Sequence, residues 1–351
     1  MANSLHLRVL DAATNRANEG LRVVEDYVRF VQDDSHLTQL LKQFRHDLVE
    51  TCAVLPLAER HAARDTQQDV GTELSTYTES KRDDTWAVCV ASLERVKQSL
   101  RSLEEFGKLI DPEISARLEA LRYRLYTLER SVSITHDSLE RLADVRLCAL
   151  VDAQESEAKL ELLVKQLLEA GVQMIQLREK TLPDGELIRR ARLLRAMVPC
   201  PDGEALLVIN DRPDIAAAVD SDGVHLGQED LNVKDARKIV GPRKLIGVST
   251  HSLAQARAAV LDGATYLGVG PTFPSETKSF DTFAGLDFLR QVAEEISLPT
   301  FAIGGISLDN LDEVLETGMT RIAVSRGIVA AQDPGAAAQE LLERLTGAIA
   351  R

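Results

Sequence analysis

The first 130 or so residues carry apolar side chains at the spacing of an α-helix. The same period runs through four segments, and a polar stretch without any period, residues 64–84, interrupts them. We therefore predict an all-α domain over residues 1–135, with a loop at the polar stretch. The clearest stripe lies in GLRVVEDYVRFVQ, where the apolar positions are Leu21, Val24, Val28 and Val31.

Two of these segments are alike. Residues 15–30 (NRANEGLRVVEDYVRF) and 94–109 (ERVKQSLRSLEEFGKL) align without gaps, and each precedes a second helix with a similarly placed arginine. A repeated pair of helices predicts a duplicated helical hairpin. Unrelated amphipathic helices with i,i+3 and i,i+4 charge pairs, or a chance match, would give the same pattern. The matched charged residues are Arg16 with Arg95, Arg22 with Arg101, Glu25 with Glu104, Asp26 with Glu105, and Arg45 with Arg122.

From Arg146 onward, short apolar runs alternate with amphipathic segments. Eight runs of strand length, from RLCALVD to RIAVSRGI, are separated mostly by helical patterns. Eight βα units in roughly 200 residues predict an α/β TIM (β/α)8 barrel over residues 136–351. A doubly wound open sheet is the rival, but the glycine-rich runs fall at the seventh and eighth strands, where TIM barrels bind phosphate.

The charge, the apolar runs and the cysteines of the chain indicate which classes of protein it can belong to. The formal net charge is −14, which argues against a general nucleic-acid-binding protein. No apolar run reaches the ~18 residues of a membrane span, and the first residues lack the regions of a secretory signal. Four cysteines far apart, without a CxxC pair, fit buried thiols in a reducing compartment. We expect a cytoplasmic protein that binds small phosphorylated molecules, without membrane or nucleic-acid partners; a homo-oligomer stays open.

The second strand of the predicted barrel ends in two cations. In a TIM barrel the carboxyl ends of the strands surround the active site, and alternation along QLREK places Gln176, Arg178 and Lys180 on one face. Two cations and an amide inside a barrel are costly unless they meet an anion, and arginine can bind a diphosphate bidentately. An outward salt bridge from Arg178 to a helix is the alternative.

Two carboxylates follow neighbouring strands. Asp211 comes after Asn210 at the end of the third strand, and Asp230 follows the fourth. Mg²⁺ usually takes one or two protein carboxylates and fills its other positions with phosphate oxygens and water, so the pair predicts a magnesium site. As alternatives, each aspartate could cap the helix that follows it. His225 and His251 have no third ligand at suitable spacing, so we expect structural or supporting roles for both.

The last strand ends carry candidate phosphate-binding segments. Residues 270–278 (GPTFPSETK) form an irregular run with hydroxyls and a lysine that suits a lid over the barrel mouth, although an exposed loop would look the same. The seventh strand ends in Gly304-Gly305 and the eighth in Val324-Ser325. Glycines and helix starts offer backbone N–H groups to an anion, so a second phosphate site is expected there.

The motifs QLREK, IND, GVHLGQED, GVSTH, GPTFPSETK, AIGGI and AVSRGI resemble, in this order, those of the thiamine phosphate synthase family. The resemblance runs from Arg146 to the end and implies two substrates, 4-amino-2-methyl-5-hydroxymethylpyrimidine diphosphate and 4-methyl-5-(2-hydroxyethyl)thiazole phosphate. One departure is Ser275, where the family often has threonine. The resemblance implies that the pyrimidine diphosphate is bound by Gln176, Leu177, Arg178, Glu179, Lys180, Asn210, Ser249 and Lys278, and that catalysis depends on Arg178, Lys180, Ser249 and Lys278. It implies that the thiazole phosphate is bound by Ser275, Glu276, Thr277, Gly304, Gly305, Val324 and Ser325. It also implies that Mg²⁺ is bound by Asp211 and Asp230.

The resemblance also implies a mechanism that suits these residues. The C–O bond between the pyrimidine methylene and the diphosphate breaks first, and the ring amino group stabilises the resulting carbocation. The thiazole nitrogen then attacks the methylene, so no general base is needed. The protein has to neutralise the departing diphosphate and keep water from the cation.

The helical domain resembles a second family. NRANEGLRVVEDYVRF, LLKQFRHDL, DVG and LRYRLY are similar to small kinases that convert hydroxymethylpyrimidine phosphate to its diphosphate with ATP and Mg²⁺. The chain has no Walker A motif, kinase glycine loop or Rossmann fingerprint, so an ATP site would use the ten matched charged residues on the helices. Two alternatives remain: a helical domain that serves only assembly or regulation, and a barrel that is a thiazole tautomerase or a phosphate-binding relative without coupling activity.

Overall fold

The computed structural model describes residues 2–64, 81–198, 205–274 and 284–349. The chain divides into two compact units, Met1–Ser133 and Ile134–Arg351. The first unit is helical throughout its described part, as predicted. Its helices are α1 (Ala2–Phe30), α2 (Ser35–Cys52), α3 (Leu57–Ala62), α4 (Thr85–Gly107) and the larger part of α5 (Pro112–Arg141).

Two aspartates define helix starts that the periodicity alone left vague. The Asp34 side chain accepts a hydrogen bond from Leu37 N at the start of α2, and Asp84 accepts one from Ala87 N at the start of α4. Each cap satisfies a backbone N–H that the helix itself cannot pair. Helix α5 begins at Pro112, the residue type best suited to a first helical position.

Helices α1 and α4 pack side by side in opposite directions. Gly20 of α1 lies against Ser92 and Val96 of α4, whereas Tyr27, seven residues later, meets Trp86, with ring centroids 5.6 Å apart. The sequence numbers run in opposite senses along the contact, so the helices are antiparallel. The predicted stripe supplies this core, with the exception of Val31, which follows the end of α1 and is half exposed.

The second unit is a closed barrel of eight parallel strands in the order β1 to β8, with β1 paired to β8. Closure confirms the TIM barrel and excludes the doubly wound open sheet, which would leave two edges. The strands are β1 (Leu147–Val151), β2 (Met174–Leu177), β3 (Leu206–Asn210), β4 (Gly223–Leu226), β5 (Leu245–Thr250), β6 (Tyr266–Val269), β7 (Thr300–Ile303) and β8 (Ile322–Val324).

Helices cover the outside of the barrel and bury their apolar faces against the strands. After β8 the chain forms two helices, a single-turn α13 and then the long α14, which completes the outer layer. These helices are α6 (Glu157–Glu169), α7 (Asp184–Met197), α8 (Pro213–Ala218), α9 (Val233–Val240), α10 (Leu253–Asp262), α11 (Gly285–Glu295), α12 (Leu311–Leu315), α13 (Arg326–Val329) and α14 (Pro334–Ile349).

Large side chains fill the barrel interior, so it is a packed core rather than a pore. Phe301, Tyr266 and Met174 belong to one buried cluster, and the segment that precedes β1 adds Leu142 and Val145 to it. Cys52, Cys89 and Cys148 are buried free thiols, as expected from their spacing, and Cys200 lies outside the described residues. Among the helices in the described ranges, none combines the length and apolar character needed to cross a bilayer.

Candidate active site

A cavity of about 390 Å³ opens at the carboxyl ends of the barrel strands. Its wall combines polar side chains from β2 to β5 with glycines and backbone from the loops after β6, β7 and β8. The sequence-predicted residues that line it are Gln176, Arg178, Asn210, Ser249, Gly304, Gly305, Val324 and Ser325. With Leu150 of β1, all eight strands contribute to the cavity wall, as the closed topology allows.

The end of β2 places two of its three predicted polar side chains in this cavity. Gln176 is 3% exposed, and its Nε2 donates to Oδ1 of Asn210 across 3.3 Å. Arg178 lines the cavity and, in the described part of the chain, forms no ion pair with a carboxylate, so the outward salt bridge is absent. Lys180 turns to Asp211, with Nζ 3.1 Å from Oδ2.

Leu177 and Glu179 do not line the cavity. Leu177 is 1% exposed in the barrel wall, because alternation along β2 points it away from Gln176. The Glu179 carboxylate accepts hydrogen bonds from the amides of Lys180 and Thr181 and from the Thr181 hydroxyl, each at 2.7 Å. Burial raises the pKa of Glu179, but these hydrogen bonds outweigh it and leave the pKa below its ordinary value. Glu179 therefore shapes the loop that carries Lys180.

Asp211 and Asp230 bring two carboxylates together. Burial and the adjacent carboxylate of Asp211 raise the pKa of Asp230 above its ordinary value. Asp211 adopts a left-handed backbone conformation, with φ of 61°, and its amide donates to the His225 carbonyl across 2.8 Å. An unusual conformation held by a hydrogen bond from a neighbouring strand is typical of functional positions.

Neither aspartate acts as a helix cap. The N-cap position of α8 is Arg212, without a side-chain hydrogen bond, and that of α9 is Asn232, whose side chain accepts from Asp235 N. The Asp230 carboxylate instead accepts from Gly227 N at 2.7 Å. In the described ranges no group of three or more His, Cys, Asp or Glu side chains could hold a metal ion. Two carboxylates are a number of protein ligands that Mg²⁺ accepts when phosphate and water fill its other positions.

A chain of hydrogen bonds runs behind Ser249. His225 Nε2 lies 2.9 Å from Ser249 Oγ, and His225 Nδ1 lies 3.1 Å from the Tyr266 hydroxyl. A Cβ at Gly247 would lie 2.1 Å from the Tyr266 ring and 2.5 Å from His225 Nδ1, so only glycine leaves room for the pair. Burial lowers the pKa of His225 to about 4. Tyr266 was missed by sequence reasoning, because it reads as an ordinary strand residue.

The loops after β7 and β8 form the other side of the cavity. Gly304 and Gly305 have φ of 102° and 68°, and a Cβ on either would come within 3.0 Å of the chain at Pro271 or Phe273. Asn310, which sequence reasoning also missed, holds this turn, since Nδ2 donates to the Gly305 carbonyl across 2.9 Å. Val324 ends β8 and Ser325 precedes α13. The predicted Ser275, Glu276, Thr277 and Lys278 lie outside the described residues.

In the helical unit, the repeat produces two equivalent three-residue clusters. Glu25 is 4% exposed and accepts from Arg22 Nη1 at 3.0 Å and from Arg45 Nε at 3.0 Å. In the second hairpin Glu104 is also 4% exposed and accepts from Arg101 Nη1 at 2.6 Å and from Arg122 Nε at 2.7 Å. The same atoms pair in both halves, as a duplicated hairpin requires. The clusters hold a buried carboxylate between helices, unlike surface i,i+3 pairs.

The two clusters do not share one site. Because α1 and α4 are antiparallel, Glu25 and Glu104 lie near opposite ends of the helix pair, roughly 20 Å apart at 1.5 Å per residue. The remaining predicted residues are on the surface: Asp26, Arg16 and Arg95 are exposed, and Glu105 is paired with Arg101 and Lys108 at 2.8 and 2.9 Å. A kinase site would therefore use one cluster and its neighbours.

Comparisons with known proteins match both parts of the chain to families. A family model described as thiamine monophosphate synthase matches residues 147–328, and the ThiD2 family matches residues 8–131. A thiamine-phosphate synthase of Rhodopirellula baltica is 42% identical and covers 97% of this chain and 93% of its own length. One of Gloeobacter violaceus is 44% identical and covers 97% and 96%.

Among solved structures, a thiamine phosphate pyrophosphorylase from Pyrococcus furiosus is 35% identical, with a TM-score of 0.52. The match covers 58% of this chain and 97% of that one, which is the share expected if the barrel alone has a counterpart there. Both family resemblances noted in the sequence are confirmed.

Proposed function

Because the chain belongs to the thiamine-phosphate synthase family, we propose that its barrel joins 4-amino-2-methyl-5-hydroxymethylpyrimidine diphosphate to 4-methyl-5-(2-hydroxyethyl)thiazole phosphate. The products are thiamine phosphate and diphosphate. The observation that carries the proposal is a cavity lined by Arg178 and the buried Gln176–Asn210 pair at one side and by glycine-rich loops at the other, with the Lys180–Asp211 ion pair in the segments that follow β2 and β3. Such a cavity suits two phosphorylated ligands that meet between the sides.

Bond breaking places negative charge on the departing diphosphate. The electron pair of the methylene C–O bond leaves with it, and Arg178 and Lys180 neutralise that charge as it develops, which lowers the barrier. Asp211 and Asp230 fit a Mg²⁺ ion, which when bound would supply Lewis-acid stabilisation of the leaving oxygens. In the described part of the chain Arg178 has no carboxylate partner, so its guanidinium is available to an anionic ligand.

Bond making needs orientation rather than proton transfer. Gln176 and Asn210 form a buried amide pair that can bind the pyrimidine ring edge, and Ser249 offers a hydroxyl beside them. The thiazole phosphate would bind to backbone N–H groups near Gly304, Gly305 and Ser325, the phosphate position of many TIM barrels. The thiazole nitrogen then donates its lone pair to the methylene carbon, and the C–N bond forms without a base.

For the helical unit, the proposal is ATP-dependent phosphorylation of hydroxymethylpyrimidine phosphate to the diphosphate. Support comes from the ThiD2 match over residues 8–131 and from the arginine-rich clusters, since phosphoryl transfer mainly requires cations around the phosphates and carboxylates for Mg²⁺. The product would be the substrate of the barrel, which gives the fusion a chemical reason.

One assay tests both activities. The full chain with pyrimidine diphosphate, thiazole phosphate and Mg²⁺, but no ATP, should release thiamine phosphate and diphosphate. With pyrimidine monophosphate in place of the diphosphate, the product should appear only when ATP is added. No product in the first mixture from folded protein would reject the synthase. Product in the first mixture and none in the second, even with ATP, would reject the kinase alone and favour an assembly role.

A further inference from the structure

A buried arginine in the helical unit has only a distant ion pair among the described residues. Arg60, on α3, is 6% exposed, and its Nε has no hydrogen-bond partner. The carboxylate oxygen paired with it, Oδ1 of Asp11, lies 4.0 Å from Nη1, which is beyond hydrogen-bond reach. Across the described residues, no other acidic group pairs with this guanidinium.

Asp11 is already neutralised by a second arginine. Arg64 binds it with two nitrogens, Nε to Oδ2 at 2.5 Å and Nη2 to Oδ1 at 3.1 Å. Asp11 is itself 3% exposed, so one buried carboxylate faces two guanidinium groups. Arginine stays protonated in proteins, so within the described residues these three side chains carry a net charge of +1, and the guanidinium of Arg60 is the buried one.

Two described side chains close to this site, Thr14 and Cys52, do not supply a negative charge. The Thr14 hydroxyl donates to the Leu10 carbonyl across 2.7 Å. Burial raises the pKa of the nearby Cys52 thiol, so this thiol is neutral at physiological pH. A buried, unpaired charge is strongly unfavourable unless an anion completes it.

We infer that Arg60 and Arg64, oriented by Asp11, form a binding site for a phosphoryl group in the helical unit. Arg64 has 44% of its side chain exposed, so a ligand can approach from solvent at Arg64 and reach Arg60 behind it. Two guanidinium groups provide the paired N–H donors that phosphate oxygens accept. The identity of the ligand rests on the proposed kinase function: the phosphoryl group would belong to the pyrimidine substrate or to ATP.

The site also indicates which arginine cluster takes part in the kinase reaction. From the α1–α4 contacts at Gly20 and Tyr27, Asp11 lies within about one helical turn of the level of Glu104, and roughly 20 Å along α1 from Glu25. The Arg101–Glu104–Arg122 cluster therefore shares an end of the unit with the phosphoryl site. The Arg22–Glu25–Arg45 cluster is the structural copy.

Hydrogen exchange of the full chain, measured by mass spectrometry, tests the site. Exchange in α3 is compared between inorganic phosphate and chloride at equal ionic strength, and then with hydroxymethylpyrimidine phosphate and with a non-hydrolysable ATP analogue. At ten times the dissociation constant, bound ligand should slow exchange that requires opening of the site about tenfold. The ligand that acts at the lowest concentration identifies the source of the phosphoryl group.

Matched variants show whether Arg60 is responsible. Arg60→Met should abolish the protection, whereas Arg29→Met, at an exposed arginine that lies over Phe30, should retain it. The ligand-free Arg60→Met protein should melt at or above the temperature of the parent, because an unpaired buried charge has been removed. Arg64→Met, at a half-exposed position, repeats the test if the first variant does not fold.

The outcomes separate this site from the kinase function. No protection of α3 by any of the three ligands would overturn the inference, even if the chain makes pyrimidine diphosphate from ATP. Protection that Arg60→Met and Arg64→Met both leave intact would overturn it as well. Protection that depends on these arginines, without ATP-dependent diphosphate formation, would retain the phosphoryl site and reject the kinase.

Discussion

Ser249, His225 and Tyr266 form a hydrogen-bonded chain whose direction follows from burial. With its pKa lowered to about 4, His225 is neutral at physiological pH and carries one N–H. Burial raises the pKa of Tyr266 well above its ordinary value, so the phenol keeps its proton, and in the described chain its hydroxyl pairs only with His225. The phenol therefore donates to Nδ1, Nε2–H donates to Ser249 Oγ, and the serine hydroxyl is directed to donate into the cavity.

Removing the phenol hydroxyl should disturb Ser249 without touching the ligand. We predict that Tyr266→Phe lowers kcat/KM for coupling about tenfold, which corresponds to the loss of one hydrogen bond of ~1.4 kcal/mol. In a Ser249→Ala background the same substitution should change kcat/KM less than about twofold, because the group it acts through is gone. Nitrogen NMR of His225 should show the Nε2–H tautomer in the parent. Equal effects of Tyr266→Phe in both backgrounds would contradict the chain.

At the scale of elements, the α1–α4 contact depends on a glycine. A Cβ at Gly20 would lie 2.7 Å from Val96 Cγ2 and 3.0 Å from the Ser92 carbonyl oxygen, so the helices approach too closely for a side chain. The repeat places Ser99 at the position equivalent to Gly20, and Ser99 is also nearly buried. Small residues at both positions allow the two hairpins to pack against each other.

We predict that Gly20→Val destabilises the helical unit by about 1–3 kcal/mol, the usual cost of overpacking. A suitable control is Gly185→Ala in α7, where nothing lies within 4 Å of the added Cβ; it should be neutral or gain about 0.5–1 kcal/mol. Urea unfolding followed by circular dichroism measures both. If Gly20→Val is as stable as the parent, α1 and α4 do not approach each other closely at Gly20 and Val96.

At the scale of the whole molecule, the two proposed reactions depend on separate residues. The kinase candidates lie in residues 1–133, and the coupling residues lie in the barrel. A substitution in the barrel should therefore stop the sequence after the first reaction, with the intermediate released and measurable.

We predict that Asp230→Asn lowers coupling at least ~100-fold, as loss of charge stabilisation commonly does, while ATP-dependent formation of pyrimidine diphosphate continues at the parent rate. The diphosphate should accumulate in a mixture of pyrimidine monophosphate, thiazole phosphate, ATP and Mg²⁺. Asp235→Asn, at a half-exposed aspartate on α9 that pairs with Lys238, is the control and should couple normally. Normal coupling by Asp230→Asn at saturating Mg²⁺ would exclude Asp230 as a metal ligand.

The carboxylate of Asp230 should also make the stability of the protein depend on pH. Because the pKa of Asp230 is raised in the fold, its ionised form is the disfavoured one. This destabilising contribution is absent below the ordinary pKa of aspartate and grows as pH rises through the raised pKa. Asp230→Asn should remove it, so without Mg²⁺ the variant should melt at or above the parent temperature at neutral pH.

The sequence by itself determined the two fold classes and part of the set of residues that line the barrel cavity. Hydrophobic period distinguishes helix from strand because backbone hydrogen bonding sets both repeats locally. Once eight parallel strands close into a barrel, their carboxyl ends must meet. The proximity of Gln176, Arg178, Asn210 and Ser249 could therefore be predicted from the sequence. The equivalence of Glu25 and Glu104 could also be predicted, because a duplication preserves the spacing of residues within each repeated segment.

Only the tertiary structure decided which of the predicted side chains line the cavity. The Glu179 carboxylate accepts hydrogen bonds from its own loop. Packing between residues far apart in the chain buried Glu25 and Glu104 between arginines. The same packing placed the two clusters at opposite ends of α1 and α4. It also joined Tyr266 to His225, 41 positions away, and buried Arg60 with its Nε lacking a hydrogen-bond partner among the described residues. Such contacts depend on register and helix direction, which no local pattern encodes.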